Sequence, residues 1–169
     1  MIKSGKKMIK QIVNIFHNLN VRRTTTSIGE GLRVNGKSLV NSKTSIANNV
    51  NLNGLCIKGQ GRVVIGNNFH SGVECLLITE IHNYDYGETI PYDNTYICKT
   101  IIIEDNVWLG DRVIILGGVK LGEGSIIQAG SVVVNDIPKY GIAGGHPARV
   151  FKFRDIEHYE KLKKDKKFY

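Results

Sequence analysis

Residues 103–133 read IEDNVWLGDRVIILGGVKLGEGSIIQAGSVV, a stretch with an aliphatic side chain at every sixth position. An α-helix repeats every 3.6 residues and a single strand alternates every two, so neither explains this spacing. A short strand followed by a tight turn, repeated about every six residues, does explain it. The inward positions of this repeat are Ile103, Leu109, Ile115, Leu121, Ile127 and Val133.

The same period runs through residues 28–52 and slips by one residue before Ile65. Three units complete one triangular coil, so side chains about 18 residues apart stack on one another. Asparagines near the corners tolerate the positive φ that a tight turn needs. The sequence therefore predicts an all-β chain folded as a parallel β-helix of about five coils. The early inward positions are Ile28, Val34, Val40, Ile46 and Leu52.

Three segments depart from the repeat. Residues 1–24 carry apolar side chains at helical spacing, and residues 79–100 form a long irregular loop of the kind that usually serves function. After Pro147 the chain becomes charged and helix-like, which suits a helix capping the open end of the solenoid. We expect one domain over residues 1–169, composed of an N-terminal helical cap (1–27), the β-helix with its loop (28–140) and a C-terminal turn and helix (141–169).

The positive charge of the chain is concentrated at its two ends. The net charge is +8, yet residues 1–23 hold six bases and no acid, and residues 152–169 hold seven bases and four acids. A nearly neutral body argues against nucleic acid as a partner. The basic N-terminal segment is open to two interpretations: a cap helix with a solvated basic face, or a peripheral helix over residues 1–24 that contacts a membrane.

The remaining composition indicates a cytoplasmic chain. The three cysteines are odd in number and lack a CxxC spacing, which is typical of free thiols in a reducing compartment. No apolar run approaches the ~18 residues of a membrane span, and no secretory signal is visible. We expect a cytoplasmic protein, with the inner face of the membrane as the alternative location.

Four stretches, in this order and spacing, resemble the hexapeptide-repeat acyltransferases. The similar enzymes include the galactoside, maltose and xenobiotic O-acetyltransferases and the polysaccharide O-acetyltransferases. The resemblance implies a left-handed β-helix, a homotrimer with active sites between subunits, and acetyl-CoA as the donor. It covers roughly residues 28–152, and its motifs are residues 65–68 with the loop 82–85, then 103–110, 127–133 and 144–150.

Acetyl transfer needs a base for the acceptor proton, a donor for the oxyanion and a groove that aligns both substrates. The resemblance implies that His82, in the long loop, is the base; the alternative is a surface histidine. A carboxylate is expected to orient the ring, with Asp85 favoured over Glu80 and Asp93. The resemblance also assigns the oxyanion to the backbone N–H of Asp111, a position that is often serine in the family.

Eight residues are expected to contact the donor. The small side chains of residues 129–131 would let the pantetheine arm approach the backbone, and Arg149 or Lys152 would meet a phosphate. Trp108 either walls the acyl pocket or packs at a coil corner. The complete set is Trp108, Gly110, Ala129, Gly130, Ser131, Gly144, Arg149 and Lys152.

Tyrosines in the loop are candidates for holding the acceptor, because aromatic faces with hydroxyls suit a sugar ring. They are Tyr84, Tyr86 and Tyr92. We expect direct transfer of acetyl from acetyl-CoA to a hydroxyl or amine of a saccharide or cell-surface glycan precursor. The alternatives are a non-sugar acceptor and a non-enzymatic β-helix scaffold.

Metal catalysis is not expected. The histidines that could take part, His70, His82 and His146, show no pair of ligands a few residues apart.

Overall fold

Eighteen short strands and two helices make up residues 2–169, the part of the chain that the structure describes; side chains are described from residue 11 onward. In chain order, the computed structural model contains α1 (Ile2–Thr24), β1 (Ser27–Ile28), β2 (Arg33–Gly36), β3 (Thr44–Ile46), β4 (Asn51–Asn53), β5 (Cys56–Lys58), β6 (Val63–Ile65), β7 (His70–Ser71), β8 (Leu76–Ile78), β9 (Glu80–His82), β10 (Tyr96–Cys98), β11 (Ile101–Ile103), β12 (Trp108–Leu109), β13 (Ile114–Leu116), β14 (Lys120–Leu121), β15 (Ile126–Ile127), β16 (Val132–Val133), β17 (Gly141–Gly145), β18 (Ala148–Phe153) and α2 (Ile156–Lys164).

The strands form three sheets that make the faces of a triangular solenoid. One sheet has the order β1-β3-β6-β11-β14, the second β2-β4-β7-β12-β15-β17-β18, and the third β5-β8-β13-β16. Pairing within them is parallel except for β18, which folds back antiparallel on β17. Six parallel strands stack in the seven-stranded sheet. The β-helix therefore has about six turns, where the sequence predicts about five.

Stacking distances along the chain agree with the six-residue repeat. Ile28 pairs with Ile46, and Ile103 pairs with Leu121, each pair 18 positions apart. Ile46 pairs with Ile65, 19 positions on, which confirms the predicted slip. The interior is a column of aliphatic side chains, each of which stabilises the fold by roughly 1.5–3 kcal/mol when buried. Its fully buried members include Leu52, Ile65, Ile103, Leu109, Ile115, Leu121 and Ile127.

Asparagines line the corner that precedes the seven-stranded sheet. Asn49, Asn68 and Asn106 have φ values of 55°, 54° and 60°, the left-handed conformation that asparagine tolerates better than most residues. Their side chains form a ladder: the Asn49 amide donates to Asn68 Oδ1 at 2.9 Å, and the Asn68 amide donates to Asn106 Oδ1 at 2.8 Å. Each turn therefore fixes the corner of the next.

Helix α1 packs on the first coil but leaves an apolar stripe in solvent. Val21 is fully buried, and the Asn18 amide donates to the carbonyl of Leu32 at 3.4 Å. The apolar residues Ile12, Val13, Ile15, Phe16 and Leu19 stay exposed. Within residues 2–169, neither helix combines the length and the hydropathy that a membrane crossing requires.

The C-terminal helix α2 lies along a corner of the solenoid, whereas the sequence suggested a position across its open end. The Asp155 carboxylate caps α2 by accepting from the amide of His158 at 2.9 Å. The Tyr159 hydroxyl accepts from the Asn106 amide at 2.8 Å and donates to Glu123 Oε1 at 3.1 Å. Helix α2 thus continues the asparagine ladder, and β18 covers the last strand of the seven-stranded sheet.

Candidate active site

The predicted loop is a hairpin that projects from one corner of the solenoid. Strands β9 and β10 pair antiparallel, with His82 opposite Tyr96. The Lys99 amide donates to the Thr79 carbonyl at 2.8 Å and closes the base of the hairpin. The loop leaves the four-stranded sheet after β8 and returns at β11 of the five-stranded sheet. The strands on either side of the loop stay paired in register with their neighbours. The insertion therefore adds a protruding hairpin without disturbing the stacking of the coils.

His82 is held by aromatic rings. Its imidazole stacks on Tyr92, with centroids 3.7 Å apart and planes 16° from parallel, and it also contacts Tyr96 at 4.5 Å. Its Nδ1 atom is buried and has no hydrogen-bond partner among the described side chains. Stacking therefore fixes the plane of the ring. The sequence does not predict these contacts of Tyr92 and Tyr96 with His82, because spacing in a loop gives no information on stacking.

None of the candidate carboxylates forms a hydrogen bond to His82 in the described part of the chain. Asp85 is exposed, and Glu80 Oε2 accepts from the amide of Gln60 at 3.0 Å. Asp93 organises the loop itself: it accepts from the Thr95 hydroxyl and amide, at 2.5 and 2.8 Å, and from the Glu88 amide at 2.9 Å. The Thr95 hydroxyl is the main cause of the lowered pKa of Asp93.

Asp111 lies at the corner that follows the seven-stranded sheet. Its Oδ1 accepts from the amide of Val73 at 2.9 Å, and its backbone carbonyl accepts from the amide of Gly130 at 2.7 Å. The first bond joins the carboxylate to the preceding coil, and the second joins the backbone to the following coil. The Asp111 amide donates no hydrogen bond to a group in residues 11–169, which leaves it available to an oxyanion.

The two expected catalytic groups lie at opposite ends of the strands of the four-stranded sheet. His82 projects after β8, where that sheet ends, and Asp111 precedes β13, where the sheet begins. A three-residue strand spans roughly 10 Å, so one face of the solenoid separates the groups within a single chain. The structure does not bring them together in one subunit.

Part of the predicted donor set lies along one corner. Gly110 and Ala129 come after β12 and β15, Gly144 lies within β17 on the following turn, and the Gly110 amide donates to the Ile127 carbonyl at 2.8 Å. Ser131 turns inward, because its hydroxyl donates to the Gln128 carbonyl at 2.7 Å. Ala129, Gly130 and Arg149 are exposed at this corner, whereas Lys152, also exposed, pairs with Ile142 and is level with Ile126 and Trp108 in the sheet.

Trp108 stands on the outer face of the seven-stranded sheet, between the His70 and Ile126 positions of neighbouring strands. Its side chain is 53% exposed, so it is not a packing residue of the core. Tyr84 and Tyr86 also point to solvent, in the protruding loop. Trp108 is therefore accessible to a ligand. It lies on the outer face of the seven-stranded sheet, between the corner before that sheet and the corner after it.

Histidines are not clustered in the described chain. His70 Nε2 lies 3.2 Å from the Asn51 amide, and burial is the main cause of its lowered pKa. His146 Nε2 forms a hydrogen bond with the backbone carbonyl of Gly130, at the corner after the seven-stranded sheet. Residues 11–169 contain no group of three or more His, Cys, Asp or Glu side chains arranged to hold a metal.

Comparison with known proteins adds sequence and fold similarity. A family model described as bacterial transferase hexapeptide (six repeats) matches residues 100–135. A Schizosaccharomyces pombe protein, named as an acetyltransferase of unproven activity, is 42% identical over 96 residues, which cover 57% of this chain and 44% of that protein. The chain spans less than half the length of the curated relatives that it matches.

Two solved structures share the architecture. A galactoside acetyltransferase in complex with coenzyme A is 25% identical, with a TM-score of 0.65 over 79% of this chain and 68% of that one. A variant of AntD, an N-acyltransferase from Bacillus cereus in complex with dTDP and coenzyme A, is 20% identical, with a TM-score of 0.65 over 87% of this chain and 94% of that one. The chain is therefore a hexapeptide-repeat protein with the left-handed β-helix fold of the hexapeptide-repeat acyltransferases, which its sequence resembles.

Proposed function

We propose that the protein is an acetyltransferase that moves an acetyl group from acetyl-CoA directly to a hydroxyl or amine of a saccharide or glycan precursor. The observation that carries the proposal is the position of His82, stacked on Tyr92 in the one loop that leaves a hexapeptide β-helix. A non-enzymatic scaffold would have no use for this loop. The complexes of the two solved neighbours with coenzyme A support the choice of donor.

The chemistry follows from the atoms available. Neutral imidazole of His82 takes the proton of the acceptor hydroxyl as that oxygen attacks the thioester carbonyl carbon. The backbone N–H of Asp111 stabilises the negative oxygen that forms. When the carbon–sulfur bond breaks, the CoA thiolate leaves and takes the proton from His82. General-base catalysis of this kind contributes roughly 10²–10⁴-fold.

This mechanism requires a second subunit, because His82 and Asp111 lie at opposite ends of the strands of the four-stranded sheet. The outer face of that sheet supports an assembly. Leu76 pairs in register with Ile114, and Ile114 pairs with Val132, and all three point away from the core. Such an aliphatic strip is typical of a protein interface. We propose a homotrimer in which His82 of one subunit meets the Asp111 corner of its neighbour.

The acceptor is proposed to be a saccharide. Tyr84 and Tyr86 extend into solvent from the loop that carries His82 and offer planar faces to a ligand. One of the solved neighbours supports a sugar, since it is a galactoside acetyltransferase. Cys56, Cys75 and Cys98 are free thiols, which supports a cytoplasmic location where acetyl-CoA is present.

Contact with a membrane surface is proposed for α1. Ile12, Ile15, Phe16 and Leu19 recur at helical spacing and stay exposed, and the sequence before them is rich in lysine. Such a helix binds the interface of an anionic bilayer. Flotation with phosphatidylserine vesicles tests this: wild type should float, and Phe16→Ser should float less. Equal behaviour of the two proteins would assign the stripe to a neighbouring subunit.

The proposed reaction is tested by incubating the protein with acetyl-CoA and a panel of sugars, nucleotide sugars and amino acids. Release of free CoA and the mass of the product identify the acceptor. His82→Ala should lose at least about 100-fold in rate, whereas the matched control His158→Ala, on exposed α2, should keep it. Full activity of His82→Ala would overturn the assignment of the base.

A further inference from the structure

A cavity of about 340 Å³ lies between the outer face of the seven-stranded sheet and the C-terminal segment. It is separate from the corner assigned to the donor. Its lining residues Asn68 and Asn106 belong to the corner before the sheet, whereas Asp111 and Ala129 belong to the corner after it. Trp108 lies between the two corners and forms one wall of the cavity.

The lining of this cavity is basic. Arg154, Lys163 and Lys167 contribute to it, and no acidic residue does. Lys163 is already paired with Glu123, and Lys167 lies 3.5 Å from Asp165. The attraction for an anion therefore comes mainly from Arg154, and partial burial strengthens it by limiting screening by solvent.

Among the three cations that line the cavity, Arg154 forms no ion pair with a carboxylate of the described residues. Its Nε donates to the carbonyl of Gly124 at 2.5 Å, and its guanidinium lies 5.5 Å from the centre of the Tyr159 ring. These contacts hold the side chain in place. Its two terminal nitrogens form no hydrogen bond within residues 11–169, which leaves a fork that matches two phosphate oxygens.

Trp108 supplies the second half of a recognition site. Its indole is half-exposed in the wall of the cavity. A flat aromatic face binds a base or a sugar ring by stacking, while the nearby cations take a charged group. The sequence does not predict this combination, because no repeat spacing relates Arg154 to Trp108.

We infer that the cavity binds the phosphate-bearing part of the acceptor, with Arg154 holding phosphate oxygens and Trp108 stacking on the attached ring. The inference rests on the proposed function, because it names the acceptor class of that reaction as a phosphorylated saccharide or a nucleoside diphosphate sugar. The phosphates of the donor are a competing source of the same chemistry. Gly110, Ala129 and Arg149 of the expected donor set, however, lie at the corner after the seven-stranded sheet, whereas Trp108 lies between that corner and the cavity.

The single tryptophan of the chain makes the test direct, because Trp108 fluorescence reports on the cavity itself. The purified protein is titrated with UDP, dTDP, inorganic pyrophosphate and coenzyme A. Saturable quenching by a nucleoside diphosphate is expected, and coenzyme A at saturation should not displace it. Arg154→Gln should weaken nucleotide binding by about tenfold, the loss expected for one charged hydrogen bond.

Two further variants serve as controls. Arg62→Gln removes an exposed cation outside the cavity and should bind nucleotide as wild type does. Lys167→Gln alters the cavity without touching the contacts of Arg154, so it detects the site even if Arg154→Gln unfolds; at least twofold weaker binding is expected. Absence of saturable quenching, or equal affinity in both cavity variants and wild type, would overturn the inference.

The binding test is independent of turnover. If acetyl transfer occurs but no nucleotide binds, the inference fails and the proposed function stands. If nucleotide binds but no acceptor is acetylated, the site stands and the proposed function fails. Displacement of the nucleotide by coenzyme A would assign the cavity to the donor and would also overturn the inference.

Discussion

The imidazole of His82 lies flat against the ring of Tyr92, with 3.7 Å between centroids and 16° between planes. A histidine that acts as a base is commonly oriented by a hydrogen bond to its second nitrogen. In the described structure, stacking replaces that bond, and Nδ1 of His82 is left without a partner. The loop therefore positions the proposed base through an aromatic surface that its own tyrosines provide.

Removing this surface should slow the reaction without unfolding the protein. Tyr92→Ala frees the ring of His82, and a rate loss of about tenfold is expected, because an aromatic pair is worth roughly 0.5–1.5 kcal/mol. Tyr92→Phe keeps the stack and should keep kcat. Tyr86→Ala, at a site that is 86% exposed, is the matched control.

The measurement is kcat and KM for the acceptor in all three variants. A positioning role lowers kcat, whereas the substrate contact expected from the sequence would raise KM. A raised KM with unchanged kcat in Tyr92→Ala would return Tyr92 to the acceptor site.

Asp111 should be more important for stability than for rate. The oxyanion is assigned to its backbone amide, which survives a change of side chain. Asp111→Ala removes the acceptor for the exposed Val73 amide and should reduce the free energy of unfolding by about 0.5–1.5 kcal/mol. Chemical denaturation measures that loss, and kcat should change less than about threefold. A rate loss of 100-fold in a folded variant would mean that the carboxylate itself acts.

Glu123 should make the attachment of α2 dependent on pH. Burial opposes its ionisation, but hydrogen bonds from Lys163, Lys139 and Tyr159 outweigh this and lower its pKa. A carboxyl group with a lowered pKa stabilises the fold above its ordinary pKa, and this stabilisation is lost as the pH falls through the lowered value. Glu123→Gln should therefore be less stable than wild type at pH 7, by about 1–2 kcal/mol.

The check is the difference in melting temperature between wild type and Glu123→Gln as a function of pH. It should be largest near neutral pH and should shrink as the solution is acidified below about pH 4. Glu157→Gln, on the exposed first turn of α2, provides the comparison. A difference that does not change with pH would show that the ionised carboxylate contributes nothing.

The fold was predictable because the six-residue period appears directly in the sequence. Ile103 and Leu121 stack as their spacing implies, and the slip before Ile65 is visible as one added position. Gly110 and Ala129 share a corner for the same reason. Interactions across elements carry no such signal: neither the contact of Tyr92 with His82 nor the approach of Arg154 to Trp108's cavity follows from a period.

The position of α2 shows the same limit. Its existence follows from a capping aspartate before a charged helical stretch, but its position depends on the hydrogen bond from Asn106 to Tyr159, residues 53 positions apart. The number of coils was underestimated because the repeat weakens where β17 carries glycines in place of aliphatic residues.

Mixing two inactive variants should restore activity if the site is shared between subunits. His82→Ala lacks the base, and Ala129→Trp places a bulky ring on the exposed corner assigned to the donor. The two variants are unfolded together and refolded as a mixture. In mixed trimers, some sites combine an intact His82 from one subunit with an intact corner from the other, so CoA release should reappear at a fraction of the wild-type rate.

Each variant refolded alone is the control and should stay inactive. A third variant, Ile114→Asp, tests the surface proposed to join the subunits, because it places a charge in the aliphatic strip. Light scattering should show a monomer, and acetyl transfer should be lost. A His82 and an Asp111 that act within one chain would leave the mixture inactive and the monomer active. The separation of these two residues across the four-stranded sheet argues that the reverse will be observed.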